Sequence, residues 1–216
     1  KRFTTTLQYL RASRGQFTFE DHETPWSIVC PNLDFTLGNV PNYHGQAVFN
    51  GGTVQIQNYK PMWANVRARF VLSGPHVDLD RIEIDTDGAK TVARGSVELG
   101  KRWPEQSYDF ESRVQFPRMG DIFFSDQDWN LTGDGDVTGR FHLFKGGHDL
   151  GGTFKSDLLG WNDYRFPALA GSLHWTPAAF DVWDANAQFF GGDAQFTYSI
   201  KPLGRKNVRS TSRFEA

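Results

Sequence analysis

The chain has a single cysteine, Cys30, in 216 residues, so no intrachain disulfide is possible. No apolar run approaches the roughly 20 residues that a membrane-spanning helix needs. Neither charge is in excess: 23 Lys and Arg face 25 Asp and Glu, for a net charge of −2. That balance argues against a nucleic-acid partner, whose binders carry a basic stripe. No nucleophile elbow, phosphate-binding loop or dinucleotide fingerprint is present. No HxxxH and no paired cysteines exist to seat zinc. The sequence has neither an initiator methionine nor a signal-peptide pattern. It reads as a segment of a longer chain, with any anchor or targeting signal outside it.

Phenylalanine (19), glycine (22) and tryptophan (7) are abundant, which favours strands and turns over helices. Short runs alternate apolar and polar residues. They include Phe3-Thr5-Leu7-Tyr9, Phe17-Phe19, Leu33-Phe35-Leu37, Ala47-Phe49, Val54-Ile56, Val66-Ala68-Phe70-Leu72, Tyr108-Phe110 and Phe141-Leu143. Period two marks a strand with one apolar and one polar face. One segment departs from this. Met119, Ile122 and Phe123 stand at i, i+3 and i+4, which predicts a short helix over 118–125, entered at Pro117 and ended near Ser125.

The richest stretch is Ala179–Ile200. Phe180 and Val182 alternate with Asp181. The phase then slips by one, and Ala185, Ala187 and Phe189 carry on. After Gly191-Gly192, Ala194, Phe196, Tyr198 and Ile200 alternate again. A phase slip predicts a bulge, and a Gly pair between two runs predicts a hairpin turn. Val77–Leu99 repeats the pattern, with its slip near Asp80-Arg81 and its turn at Gly88. Upstream, Gly51-Gly52-Thr53 matches Gly151-Gly152-Thr153, and Pro75 matches Pro177. Residues 45–99 are thus echoed at 139–200 within one continuous β-rich segment, 1–216. A hairpin cannot bury its apolar face alone. The expected fold is all-β: a long antiparallel, bulged and curled sheet of stacked hairpins forming an open trough. A closed sandwich or barrel is the alternative.

Chemistry-bearing residues are scattered. Gly133–Gly139 is glycine-rich but leads into a strand. Asp85-Thr86-Asp87-Gly88 opens like a calcium loop, yet Ser96 stands where the closing Glu belongs. His22, His44, His76, His142, His148 and His174 occur singly and read as surface or strand-face residues. Asp78, Asp80, Glu83, Asp85, Asp109 and Glu111 lie opposite apolar positions, as a solvated face would, rather than as a glycosidase pair. The reading is therefore of a protein that is not an enzyme and holds no metal or cofactor. The seven tryptophans allow a sugar-binding role if they form an exposed row. Otherwise Trp129 and Trp175 fill the apolar side, and Trp183 points outward at its bulge.

Three stretches carry a resemblance: Val137–Phe154, Phe166–Trp175 and Ala185–Ala194. With their glycine-bounded strands, "GG" strand ends and a GG hairpin, they resemble the AsmA-like/TamB superfamily of bacterial envelope proteins. The resemblance spans roughly residues 45–203 and carries no catalytic signature. It implies a taco-like sheet, a periplasmic or cell-envelope setting with an inner-membrane anchor outside this segment, and conduction of phospholipid between inner and outer membranes. The implied partners are phospholipid acyl chains and neighbouring β-repeats of the full-length chain. On this reading the lipid groove is lined by Phe49, Val54, Ile56, Val66, Phe70, Leu72, Ile82, Ile84, Val97, Leu99, Phe110, Phe141, Leu143, Phe154, Leu173, Trp175, Phe180, Val182, Phe196, Tyr198 and Ile200. The alternatives are a glycan- or protein-binding module and an envelope assembly scaffold.

Overall fold

The computed structural model describes residues 6–21, 26–39, 42–56, 59–125, 127–203 and 209–215. The strands are β1 (Tyr9–Asp21), β2 (Trp26–Asn39), β3 (Tyr43–Ile56), β4 (Met62–Ser73), β5 (His76–Thr86), β6 (Ala89–Glu98) and β7 (Glu105–Gln115). Helix α1 (Phe116–Phe123) follows. Then come β8 (Leu131–Thr132), β9 (Asp134–Phe144), β10 (Gly147–Trp161), β11 (Tyr164–Trp175), β12 (Phe180–Phe189), β13 (Gly192–Lys201) and β14 (Arg209–Glu215). All pair antiparallel in one sheet whose order follows the chain, except that β9 lies beside β7 while the short β8 pairs with the far end of β10. The sheet does not close, and β1 and β14 are its edges. The chain thus forms the open all-β sheet of stacked hairpins, not a closed sandwich or barrel.

Bulges keep the apolar residues on one side. The β5–β6 ladder shifts register between Leu79 and Ile82, and β12–β13 shifts between Val182 and Ala185. These are the two sites of the sequence phase slips. One extra residue on one strand restores the facing of everything beyond it. Asp184 takes the left-handed conformation there (φ 50°), and Trp183 pairs with Ser172 on the polar side. A third bulge interrupts β3 between Phe49 and Gly52. Asn50-Gly51-Gly52 therefore bends one continuous strand instead of separating two.

Other boundaries differ from expectation. α1 starts at Phe116 rather than 118, because Pro117 fits the first turn, where its missing N–H is not needed. It ends at Phe123, and Phe124 leaves the helical region (φ −127°, ψ 30°). Arg209–Glu215 forms an edge strand although it carries one apolar residue, Phe214. Leu7 precedes β1, while Phe3, Thr5 and His22 lie outside the described residues.

The sheet curls strongly. Six strand spacings separate β4 from β11, roughly 29 Å in a flat sheet. Yet the Tyr59 ring, in the connection leading into β4, lies 6.4 Å from that of Trp175 on β11. Likewise Phe19 on β1 lies 6.3 Å from Trp103, which follows β6. The apolar face is the concave one. Two knots of buried side chains tighten it. Ala68, Ile82 and Ala93 pack with Val66, Leu79, Ile84, Tyr108 and Phe110. Phe166, Leu169 and Ala187 pack with Phe154, Leu159, Phe189 and Phe196. Phe166 and Leu169 share a side despite their odd spacing because Ala168 between them is left-handed (φ 53°).

Candidate functional site

Paired residues on neighbouring strands share a face, so the register traces the trough floor from edge to edge. One row runs Leu10, Leu37, Gly45, Phe70, Leu79, Gly95, Tyr108, Phe141, Leu150, Trp175, Phe180, Ile200, each beside the next. A second runs Ala12, Phe35, Ala47, Ala68, Ile82, Ala93, Phe110, Gly139, Gly152, Leu173, Val182, Tyr198. No charged residue interrupts either row. Glycines on this face sit beside large residues. A Cβ on Gly45 would stand 2.8 Å from Phe70 Cε1, one on Gly95 2.7 Å from Tyr108 Cδ1, and one on Gly171 2.7 Å from Phe154 Cζ. Aromatic rings therefore lie over neighbouring glycines.

Every groove candidate except Leu99 sits on this face. Phe49, Val66 and Ile84 are cross-strand partners, as are Phe196 and Ala185. Val54 faces Met62, Ile56 faces Trp26, Leu72 faces Val77, and Val97 faces Val77 from the other side. Leu143 pairs with Gln106 and is buried. Leu99 is the exception: it lies in the turn after β6, exposed, its N–H donating to the Pro75 carbonyl oxygen at 2.7 Å.

The convex face is a lattice of ion pairs. Arg81 Nε meets Glu83 at 2.8 Å, Arg140 Nε meets Asp109 at 3.1 Å, and Arg113 Nη1 meets Asp136 at 3.1 Å. Three of its histidines are carboxylate-paired. His174 Nε2 lies 2.8 Å from Asp149 and His142 Nε2 3.0 Å from Glu105. His76 sits between Glu98 and Asp78, whose hydrogen bonds raise its pKa. Exposed pairs of this kind contribute little stability each but make the outer face wettable. Trp63, Trp161 and Trp183 are exposed on separate strands, β4, β10 and β12, and form no row. Among the described residues no group of three His, Cys, Asp or Glu is placed to hold a metal ion. No described helix is long and apolar enough to cross a membrane.

Two features of the floor escape sequence reasoning. The first is His148. It pairs with Leu143, so it points inward, and only 4% of it is exposed. Its ring lies 4.3 Å from Trp175 and 6.0 Å from Phe141, and Nε2 has no hydrogen-bond partner. Burial disfavours the charged ring and pushes its pKa down to about 4, against a small opposing pull from Asp149. The signal was position: His148 is in phase with Leu150, but its polarity masked that.

The second is α1. The connection between β7 and β9 does not skirt the sheet; it crosses the concave face. Phe123 packs edge-on to Trp175 at 5.7 Å and to Tyr59 at 5.0 Å. Phe124 meets Phe180 at 6.3 Å, and Trp129 meets Tyr198 at 6.2 Å and Trp161 at 5.6 Å. Trp129 thus reaches the apolar side from outside any strand. Arg118 clamps the start of α1 to the β5–β6 turn, its Nη2 donating to both Asp87 oxygens at 2.7 and 2.6 Å. The would-be calcium ligand Asp87 is therefore an anchor for the helix.

At the β12–β13 turn, Phe190 is left-handed (φ 48°) and 91% exposed. It borders a cleft of about 500 Å³ between the β10–β11 and β12–β13 turns, lined by Tyr164, Pro167 and Phe189. No family model matches the chain, and neither a curated protein nor a solved structure does.

Proposed function

We propose that this chain is a lipid-binding or lipid-conducting β-trough module, working by apolar contact rather than by catalysis. The observation that carries this reading is the pair of charge-free rows running without a break from β1 to β13 on the concave face. Each methylene lying on such a floor gains about 0.8 kcal/mol over water. Shifting it along an equally apolar floor costs little, since dispersion and hydrophobic contact are non-directional. The headgroup stays at the open seam between the edges, in water. The resemblance of residues 137–154, 166–175 and 185–194 to AsmA-like/TamB proteins supports phospholipid as the cargo and the bacterial periplasm as the setting.

The test is direct. Protein purified without detergent, extracted with organic solvent and analysed by mass spectrometry is expected to yield phospholipid. With a photoactivatable phospholipid, Phe196→Arg is expected to lower labelling of β12–β13 at least about ten-fold, because an unpaired guanidinium on the floor cannot desolvate against acyl chains. A lipid-free extract, or undiminished labelling in the variant, would count against the trough.

A further inference from the structure

α1 and Trp129 lie where the proposed cargo would lie, and the way they are fastened is uneven. Both ends of the segment are fixed to the sheet by polar contacts. At the start, Gln115 N–H donates to Gly88 O at 2.8 Å, Phe116 N–H donates to Gly133 O at 3.0 Å, and Arg118 grips Asp87. At the end, Asn130 N–H donates to Asn162 Oδ1 at 2.8 Å, and Asn162 N–H donates back to Asn130 O at 2.9 Å. Leu131 then enters the sheet beside Trp161. Between these anchors the contacts that the described residues make with the floor are apolar: Ile122 is buried, and Phe123, Phe124 and Trp129 touch Trp175, Phe180 and Tyr198. The helix has eight residues, no side-chain cap and no basic residue in its last turn. So short a helix does not hold itself together in water; it persists by resting on the floor.

From this we infer that α1 and Trp129 form a displaceable strap, an internal stand-in for acyl chain that occupies the floor over β11–β13 in the empty protein and lifts when lipid arrives. The inference rests on the trough reading above and concerns its regulation. The strap shields Trp175, Phe180 and Tyr198 from water when no cargo is present, and a ligand of like apolarity replaces its contacts nearly one for one. The anchors hold the segment close, so it reseats when the cargo leaves. None of the aromatic contacts is directional enough to lock it. Lipid can therefore engage β3–β6 with the strap seated but must displace it to reach β12–β13.

The experiment uses the whole chain and a photoactivatable phospholipid presented in vesicles of phosphatidylethanolamine and phosphatidylglycerol, with labelled peptides mapped by mass spectrometry. The double variant Phe123→Ser, Phe124→Ser removes the strap's grip on the floor. Arg118→Ala loosens its anchor without touching the floor and serves should the first variant fold poorly. Either is expected to raise labelling of β12–β13 roughly ten-fold over wild type, the change two aromatic contacts can account for, while labelling of β3–β6 stays level. Labelling of β12–β13 that is unchanged or reduced, with β3–β6 still labelled, overturns the strap and leaves the trough standing. Absence of labelling on every strand, in wild type and variants alike, overturns the trough and the strap with it.

Discussion

Gly139→Val is expected to cost more than about 4 kcal/mol and to leave the C-terminal half of the sheet unformed. Gly139 and Gly152 face each other across the β9–β10 ladder in the second floor row. A Cβ on Gly139 would stand 2.9 Å from Gly152 Cα, with the Gly151 carbonyl oxygen closer still. Both obstacles are backbone, so nothing can rotate aside, and relief requires parting the strands. Gly45→Ala is a milder case. The nearest atoms it meets all belong to the Phe70 ring, which can swing away at about 1–3 kcal/mol. Gly38→Ala meets nothing nearer than Tyr9 Cδ2 at 4.0 Å and is expected to be neutral. Urea unfolding followed by tryptophan fluorescence ranks the three. Gly139→Val unfolding within about 1 kcal/mol of wild type would show that β9 and β10 do not approach so closely.

The second large effect is a pH dependence that one residue sets. His148 has a folded-state pKa of about 4, depressed by burial from 6.5. Between those values the unfolded chain binds a proton that the folded chain refuses. Stability is therefore complete above pH 6.5 and falls as pH drops toward 4. At 1.36 kcal/mol per pH unit, less some solvent screening, the loss is about 2–3 kcal/mol. His76 acts in the opposite sense. Its pKa is raised by Glu98 and Asp78, so its contribution is whole below 6.5 and fades as pH rises through its folded value. Comparing His148→Leu with wild type cancels that and every other group. The variant is expected to lose about 2–3 kcal/mol less than wild type between pH 7 and pH 4, and to be no less stable at pH 7, where an unpartnered ring nitrogen is replaced by methyl groups. Parallel loss in both proteins, measured by chemical denaturation at each pH, would remove His148 from the account.

Period-two alternation made most of the strands legible, because it reports which side of a sheet a residue faces. The two phase slips made the bulges at Asp80-Arg81 and Trp183-Asp184 legible too, and with them the shared facing of Leu79 with Ile84 and of Val182 with Phe196. Alternation says nothing of curl. That Tyr59 would meet Trp175 is a consequence of accumulated twist over several strands, and no local pattern encodes it. Strand β14 was unreadable for a different reason: Arg209–Glu215 offers backbone pairing to β13 but almost no apolar face. The helix was readable from Met119, Ile122 and Phe123. Its destination was not, since an amphipathic turn shows that it has an apolar side without naming the surface that side will cover. Trp129 was placed in a strand because its position depends on where α1 crosses; His148 was given no inward role because its polarity masked a strand phase it shares with Leu150.

The order of the strands also bears on how the chain reaches this shape. Almost every ladder joins strands adjacent in sequence, across turns as short as the Asp87-Gly88, Lys145-Gly146 and Phe190-Gly191 pairs. Closing such loops costs little entropy. Assembly can begin at any hairpin and extend outward one rung at a time, as in solenoids. The long excursion from β7 to β9 is the one place where that zipper must pause, and the β8–β10 pairing that bridges it forms only after β10 is in place. Hydrogen exchange is expected to resolve the molecule into two cooperative blocks meeting at the β7–β9 ladder, with neither needing the other to start.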